Sequence, residues 1–425
     1  MQICLKPAQL RAAVLALSFG VVLVLAAGPA AADPPIDQNT IGENTIGGAQ
    51  LLEPGRQVNL GPSARPLPDI WATSWVLADA NTGEILAAKN AHLQRAPAST
   101  LKALTALTVL PQVTMDQPYV ATTGDANTYG SRVGLKAGKT YTIRDLLYGL
   151  MLPSGNDAAL ALARANGSVA KTVAQMNELA AQLQAEDTVA KNPSGLDAPG
   201  QLSSAYDLAL FGRASLAMPE ILDIASTKRY EFPWRGQRTR TIYNANRLLL
   251  SDYKGVIGLK TGFTTNAGRT FIGMARRGDR TLVVALMGIR EASAEAARKA
   301  LTWGFKNADR VTPVGTLVNP LTDAEFAVAR IADSTSSAVV TSSDGDSASG
   351  DDAIAGAQKS INAAGAITAP SAIGSAPWWQ WAIIAVTVIF ALIWQRNKSH
   401  SVVNRDQSLM SGSPGLVRSD PHELV

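Results

Sequence analysis

Two uncharged apolar runs, one near each end of the chain, most constrain what this sequence can fold into. Residues 12–27 are almost unbroken Ala, Val and Leu, and residues 378–394 are interrupted only by Gln380 and Thr387. The first run follows Lys6 and Arg11 and precedes Ala30-Ala31-Ala32, a small-residue cleavage site. Residues 1–32 are therefore predicted to be a secretory signal peptide. The second run would span about 25 Å as a helix, enough for a thin hydrocarbon core. Trp378, Trp379 and Trp381 at one end and Trp394 at the other suit the two interfaces, and Arg396, Lys398 and Arg405 follow directly. Residues 377–395 are predicted to be a single transmembrane helix, with 396–425 as a cytoplasmic tail and everything before the span outside. That would put the protein in the cell membrane as a single-pass chain, its main domain extracytoplasmic.

The runs leave limited room for a core. Residues 333–376 are mostly Ser, Ala, Gly and Asp with no aromatic residue, too little apolar surface to offset the entropy of ordering, so a disordered stalk is predicted. Residues 33–67, rich in Pro, Gly and Asn, read as a flexible N-terminal linker. One globular unit remains, 68–312, with a short appendage at 313–332. A length of 425 residues allows about three domains, and these segments reduce the allowance to one.

Within that unit, strand-like stretches 74–78 and 84–88 flank Asp79-Ala80-Asn81-Thr82-Gly83 and predict a hairpin. Stretches 270–275 and 281–287 predict a second hairpin, with one more strand at 257–261. Helices are predicted over 99–110, 143–152, 157–165, 169–183, 206–216 and 292–305. Strands at both ends with helices between them give an α/β (α+β) class: one antiparallel sheet flanked by helices.

Residue counts exclude several chemistries. The lone cysteine, Cys4, would leave with the signal peptide, so neither a disulfide nor a thiol active site is expected. Of three histidines, His400 and His422 lie beyond the predicted span, and His92 sits in a polar stretch that reads as surface. A Ser-His-Asp catalyst and a zinc site therefore lack their imidazoles, and no metal or cofactor is expected. The net charge of +4, falling to +2 on cleavage, and the absence of a Lys/Arg run give no sign of a nucleic-acid partner. A serine paired with a lysine is what remains: on a helix, positions i and i+3 share a face, and a buried lysine amine can accept the hydroxyl proton. Three such pairs occur, Ser99/Lys102, Ser168/Lys171 and Ser251/Lys254. Only Ser99 opens an apolar helix, where backbone N–H groups favour developing negative charge.

Ser99-Thr100-Leu101-Lys102, then Ser154-Gly155-Asn156, then Lys260-Thr261-Gly262 follow the SxxK, SxN, KTG order of penicillin-recognising enzymes. The flanking residues 147–159, Met176-Asn177, Asn192-Pro193-Ser194-Gly195-Leu196-Asp197 and Gly258 to Thr264 resemble the low-molecular-mass penicillin-binding proteins, the serine-type D-alanyl-D-alanine carboxypeptidase family. The resemblance covers about 70–310. It implies a β-lactamase/transpeptidase-like fold with a five-stranded antiparallel sheet, and removal of the terminal D-alanine from peptidoglycan stem pentapeptides through a serine acyl-enzyme, in cell-wall biogenesis and cell shape. By this resemblance Ser99 is the nucleophile and Lys102 the general base. Ser154 and Lys260 relay a proton to the leaving amine, and Asn156 holds Lys102 and the substrate amide. The backbone N–H groups of Ser99 and Phe263 form the oxyanion hole, Thr261 and Lys260 meet the substrate carboxylate, and Gly262 lets substrate approach the strand. β-Lactams are implied as covalent inhibitors.

Departures are visible. The stretch in which relatives often carry a carboxylate-binding arginine is short here, leaving Arg290 as the candidate. A second, β-rich domain of the kind many relatives carry has almost no room. A class A-like β-lactamase and a D,D-endopeptidase are the alternatives, the first lacking its usual glutamate loop.

Overall fold

The computed structural model of the chain describes residues 46–330. The predicted signal peptide, the first part of the N-terminal linker, the stalk, the transmembrane helix and the tail lie outside the described residues. Among the described residues no helix is long and apolar enough to cross a membrane.

An antiparallel sheet organises the rest. Its strands are β1 (Arg56–Gln57), β2 (Ser74–Asp79), β3 (Glu84–Lys89), β4 (Val256–Thr264), β5 (Gly268–Arg277), β6 (Arg280–Ile289) and β7 (Gly315–Thr316). Their spatial order is β1-β3-β2-β6-β5-β4, with β7 also pairing β3, and every pairing is antiparallel. The β2–β3 turn forms as its residues dictate. Asp79 Oδ1 accepts from the Asn81 N–H at 2.9 Å, and Gly83, at φ 87°, supplies the left-handed residue that closes it. The five long strands match expectation. The sheet has seven because two-residue strands join from segments predicted to lie outside the domain.

Alternation along the strands divides the core in two. Val76, Ala78, Val283, Ala285 and Met287 bury on one face, Trp75, Leu77, Leu282, Val284 and Leu286 on the other. The first face is covered by α1 (Lys102–Val109), α2 (Ile143–Met151), α3 (Asn156–Ala165), α4 (Val169–Gln182), α5 (Ala205–Ala214) and α6 (Pro219–Ser226). The second is covered by α7 (Ser293–Asn307). Helix starts follow their caps: Thr142 and Asp145 form a reciprocal capping box ahead of α2, and Ser204 accepts from the Asp207 N–H at the start of α5. The predicted helix 99–110 is three pieces. A 3-10 turn, Ala98–Leu101, precedes α1, and a second, Leu110–Gln112, accommodates Pro111. Helix α6 and the hairpin Arg229–Pro233/Thr239–Tyr243 went unpredicted.

Two boundaries need correction. Residues 46–67 are not a loose linker: Leu51 is buried in the core, β1 pairs β3, and Asn59–Leu60 pairs Val311–Thr312. Residues 313–318 are no appendage. β7 pairs β3, Leu317 is fully buried, and Tyr206 Oη donates to the Thr316 carbonyl at 2.9 Å. Apolar residues at wide spacing in Gly- and Pro-rich stretches carry no periodicity, so their docking was invisible locally.

Candidate active site

The three motifs, whose first residues span 161 positions from Ser99 to Lys260, converge on one cleft of about 460 Å³. Ser99, Ser154, Thr261, Gly262 and Phe263 line it, together with Ser131, Arg247 and Arg269. Lys102, Asn156 and Lys260 sit behind this lining, all buried. Each element fixes its own residue. Ser99 lies in the 3-10 turn ahead of α1, and Ala98 beside it holds φ 51°, unusual for a residue with a Cβ. Pro97's carbonyl accepts from Thr100 Oγ1 at 2.5 Å and Thr270 Oγ1 at 2.9 Å, tying the turn to β5. Ser154 has φ 64° in the turn between α2 and α3, and its buried hydroxyl has no hydrogen-bond partner among the described residues. Asp157 accepts from the N–H groups of Val133, Gly134 and Leu135, pinning the loop that forms one wall.

Lys102 is the centre of the arrangement. Its Nζ lies 2.9 Å from Ser99 Oγ, 2.7 Å from Asn156 Oδ1 and 2.5 Å from the Ser194 carbonyl. The Asn156 amide is oriented by Nδ2 donating to the Tyr129 carbonyl at 2.8 Å, so Oδ1 must face the lysine. Asn156 Oδ1 and the Ser194 carbonyl can only accept. They occupy both N–H bonds of a neutral amine and leave its lone pair for the Ser99 hydroxyl. Burial pushes Lys102 well below the ordinary lysine range, with the nearby Lys260 charge acting the same way and Asp157 opposing. Burial also lowers Lys260 to about 7, and its Nζ donates to the Thr261 carbonyl at 2.9 Å. No aspartate or glutamate is among the residues lining the cleft.

Gly262 has a different reason from the one expected. A Cβ there would meet the backbone nitrogens of Ser99 at 2.8 Å and Thr100 at 2.9 Å. A Cβ would also collide with Thr270 Oγ1, so the missing side chain is what lets β4 pack against both the nucleophile turn and β5. Phe263 is exposed beside it on the sheet edge. Arg290 is not in the cleft: its N–H donates to the Trp71 carbonyl and it borders a separate hollow with Arg56 and Asp69. The cations that do line the cleft are Arg247, at the start of a short helix, and Arg269, opposite Phe263 in the β4–β5 register. The side chains of both are without ion-pair partners among the described residues. Sequence reasoning missed Arg269, although the hairpin register places it directly across from a motif residue. It also passed over the Ser194 carbonyl, which is aimed by Asn192 Oδ1 accepting from Ser194 N, Ser194 Oγ and Gly195 N.

The other Ser/Lys pairs have no such setting. Ser168 is an exposed cap of α4, and Ser251 donates to the Leu248 carbonyl. His92 is half-buried rather than on the surface. Its Nδ1 lies 2.8 Å from Asp187 Oδ2 and its ring rests 4.6 Å from that of Tyr206, in a pocket whose lining shares no residue with the cleft.

A family model described as D-alanyl-D-alanine carboxypeptidase, peptidase S11, matches residues 62–291. The D-alanyl-D-alanine carboxypeptidase DacB2 of Mycobacterium tuberculosis is 41% identical over 247 residues, covering 56% of this chain and 84% of that protein. Among solved structures, a D-alanyl-D-alanine carboxypeptidase from Mycobacterium tuberculosis H37Rv superposes with a TM-score of 0.58 at 39% identity, covering 60% of this chain and 99% of that one. The Streptomyces K15 DD-transpeptidase does so with a TM-score of 0.55 at 30% identity, covering 57% and 100%.

Proposed function

The chain belongs to the D-alanyl-D-alanine carboxypeptidase family, and from that membership and the cleft geometry we propose how its residues divide the work. The enzyme is a serine-type carboxypeptidase that hydrolyses the terminal D-alanyl-D-alanine bond of peptidoglycan stem peptides and binds penicillin. The observation that carries the residue assignment is Lys102 Nζ, 2.9 Å from Ser99 Oγ with both of its remaining neighbours acceptors.

Ser99 Oγ attacks the carbonyl carbon of the penultimate D-alanine while its proton passes to neutral Lys102. Charge develops on the carbonyl oxygen between the N–H groups of Ser99 and Phe263. Alternation along edge strand β4 supports the second donor. The Thr261 carbonyl faces the Lys260 amine, and two residues on the Phe263 N–H shares that edge. The C–N bond breaks as the proton held by Lys102 passes to the departing amine through the Ser154 hydroxyl, which is buried in the cleft wall without a partner among the described residues, and Lys102 is returned to its neutral form. Water then attacks the ester, Lys102 takes its proton, and Ser99 leaves with a proton restored. The carboxylate of the departing D-alanine meets Thr261, Lys260 and the guanidinium of Arg269, with Arg247 beside it; Arg290 has no part. The lack of a lining carboxylate disfavours the class A-like β-lactamase alternative, whose deacylating water needs one.

The site also implies a compartment. An exported domain held at the outer face of the membrane by residues 377–395 would face the cell wall, and the signal peptide, span and positive tail written in the sequence support that topology. Release of active enzyme from membranes on removing residues 377–425 checks it; a chain that is soluble with those residues present refutes it. For the chemistry, Ser99→Ala is expected to abolish D-alanine release from a D-Ala-D-Ala pentapeptide and covalent labelling by a fluorescent penicillin, with the fold intact by circular dichroism. Retained release would overturn the assignment of Ser99.

A further inference from the structure

Cations from two segments about 100 positions apart meet beside the cleft. Lys136 and Lys139 come from the loop after Ser131; Arg235, Arg238 and Arg240 come from the hairpin Arg229–Pro233/Thr239–Tyr243. Three of the five gather on one indole. Arg240 Cζ lies 4.0 Å, Lys136 Nζ 4.8 Å and Arg235 Cζ 5.9 Å from the Trp234 ring centre. Lys139 Nζ donates to the Gly236 carbonyl at 3.1 Å, and Arg240 donates to the Val133 carbonyl. None of these five has a carboxylate partner among the described residues. Glu231, the acidic residue of the hairpin, accepts from Thr239 and Thr241 hydroxyls. Those residues alternate with Arg240 along the strand, so Glu231 faces the opposite side. The nearby Asp145 and Asp157 are buried and occupied by their own donors.

Cation–π contacts of Lys136, Arg235 and Arg240 with Trp234, and of Lys139 with Tyr141, hold these four charges in place by about 0.5–1 kcal/mol each but neutralise none of them. A fixed, uncompensated cluster of this kind lowers its energy by taking up an anion. Its surroundings decide which. No large apolar side chain is exposed at the hairpin tip, and Trp234 is half-buried under its cations, so nothing is offered for insertion into a lipid surface. The loop bearing Lys136 is the one whose Ser131 lines the cleft and whose residues 133–135 are clamped by Asp157. The patch and one wall of the cleft are thus carried on the same clamped loop.

We infer that this basic face is an accessory docking site for the polymeric substrate itself, a hydrophilic strand whose uncleaved stems each end in a carboxylate. The inference rests on the carboxypeptidase reading above. Its consequence is a preference for polymer over free peptide, brought about by electrostatic retention beside the cleft and not by any change at Ser99.

The test compares full-length protein in detergent with the variant Lys136→Gln/Arg235→Gln/Arg238→Gln, leaving Arg240 to hold the loop. With soluble D-Ala-D-Ala pentapeptide the two are expected to agree within two-fold in kcat/KM. With purified peptidoglycan stripped of attached polymers, the variant is expected to release D-alanine about ten-fold more slowly at low salt. That difference should vanish in 0.5 M NaCl, where the Debye length is about 4 Å. Co-sedimentation of Ser99→Ala protein with the same polymer reads docking without turnover, and the triple variant in that background should lose it. Equal rates on polymer, undiminished co-sedimentation, or an equal loss on both substrates overturns the inference. So does a loss confined to binding of anionic phosphatidylglycerol vesicles, which would make the patch a lipid contact. A wild type that releases no D-alanine from pentapeptide refutes the activity instead, and the sedimentation result stands apart from that outcome.

Discussion

Lys260 is fully buried, has no carboxylate in hydrogen-bond contact among the described residues, and is lowered by that burial to about 7. An unfolded chain holds the same lysine charged up to about 10.5, so between 7 and 10.5 the unfolded state binds the extra proton and stability rises with pH. Lys260→Met removes that penalty while keeping a stem of similar volume. It is expected to stabilise the domain by about 2–4 kcal/mol at pH 7, by the same amount below 7 and progressively less towards 10.5, while activity is lost. Denaturant melts at pH 7 and 10 check the sign; a gain that grows with pH would refute it. The cleft arginines divide just as cleanly. Arg269 lines the cleft and Arg290 does not, and a charge-assisted bond to a carboxylate contributes about 1.5–3 kcal/mol. Arg269→Gln should therefore lower kcat/KM for D-alanine release about 10–100-fold, with Arg290→Gln within two-fold of wild type; the reverse order would return the carboxylate to Arg290.

Elements position these residues, and there sequence and structure part company. The chemistry of the site was legible: Ser99 with Lys102 one turn apart, and Ser154, Asn156 and Lys260 in order, needed only their spacing. The packing was not, because it depends on pairs remote in sequence. Gly262 illustrates this. It reads as a place for substrate to come close, yet a Cβ there would sit 2.8 Å from Ser99 N and 2.9 Å from Thr100 N. It is the contact between β4 and the nucleophile turn. Gly262→Ala should push β4 away from that turn, separating the N–H groups of Ser99 and Phe263. The expected result is at least a 100-fold fall in penicillin acylation rate, the scale of losing one oxyanion donor, with unfolding free energy lower by about 1–3 kcal/mol. A variant that loses stability but acylates at the wild-type rate would show that Phe263 N–H does not serve the oxyanion. Arg290 failed as a candidate for the same reason. Its place after β6 suggested the cleft, but the chain turns its N–H to Trp71 and its side chain to another hollow.

At the scale of the molecule the sheet has two unlike edges. Among the described residues β4 is unpaired on its outer side, where an extended peptide can add, while the far edge is covered by short strands. Closure comes from the segments that composition alone would discard. β1 and β7 pair β3, the Gly47 carbonyl accepts from Thr316 N at 2.8 Å, Leu317 N donates to the Gly83 carbonyl at 2.7 Å, and Arg213 Nη1 donates to the Leu317 carbonyl at 2.7 Å. Leu51, 2% exposed, fills the core beneath them. An exported chain that starts at residue 68 instead of 46 loses the N-terminal half of this closure. Leu51 alone contributes about 2–3 kcal/mol of burial, and the lost pairing of β1 and Asn59–Leu60 brings the expected destabilisation to at least about 3 kcal/mol, or about 6–12 °C in Tm for a domain of this size. The cleft lies at the opposite edge and shares no residue with the deleted segment. D-alanine release by the shortened chain at 25 °C should therefore match the longer one, with the two diverging only as temperature approaches the lowered Tm. Unchanged thermal unfolding would mean that residues 46–67 are the loose linker their composition suggests. An immediate loss of activity at 25 °C would mean that the two edges are coupled through the sheet.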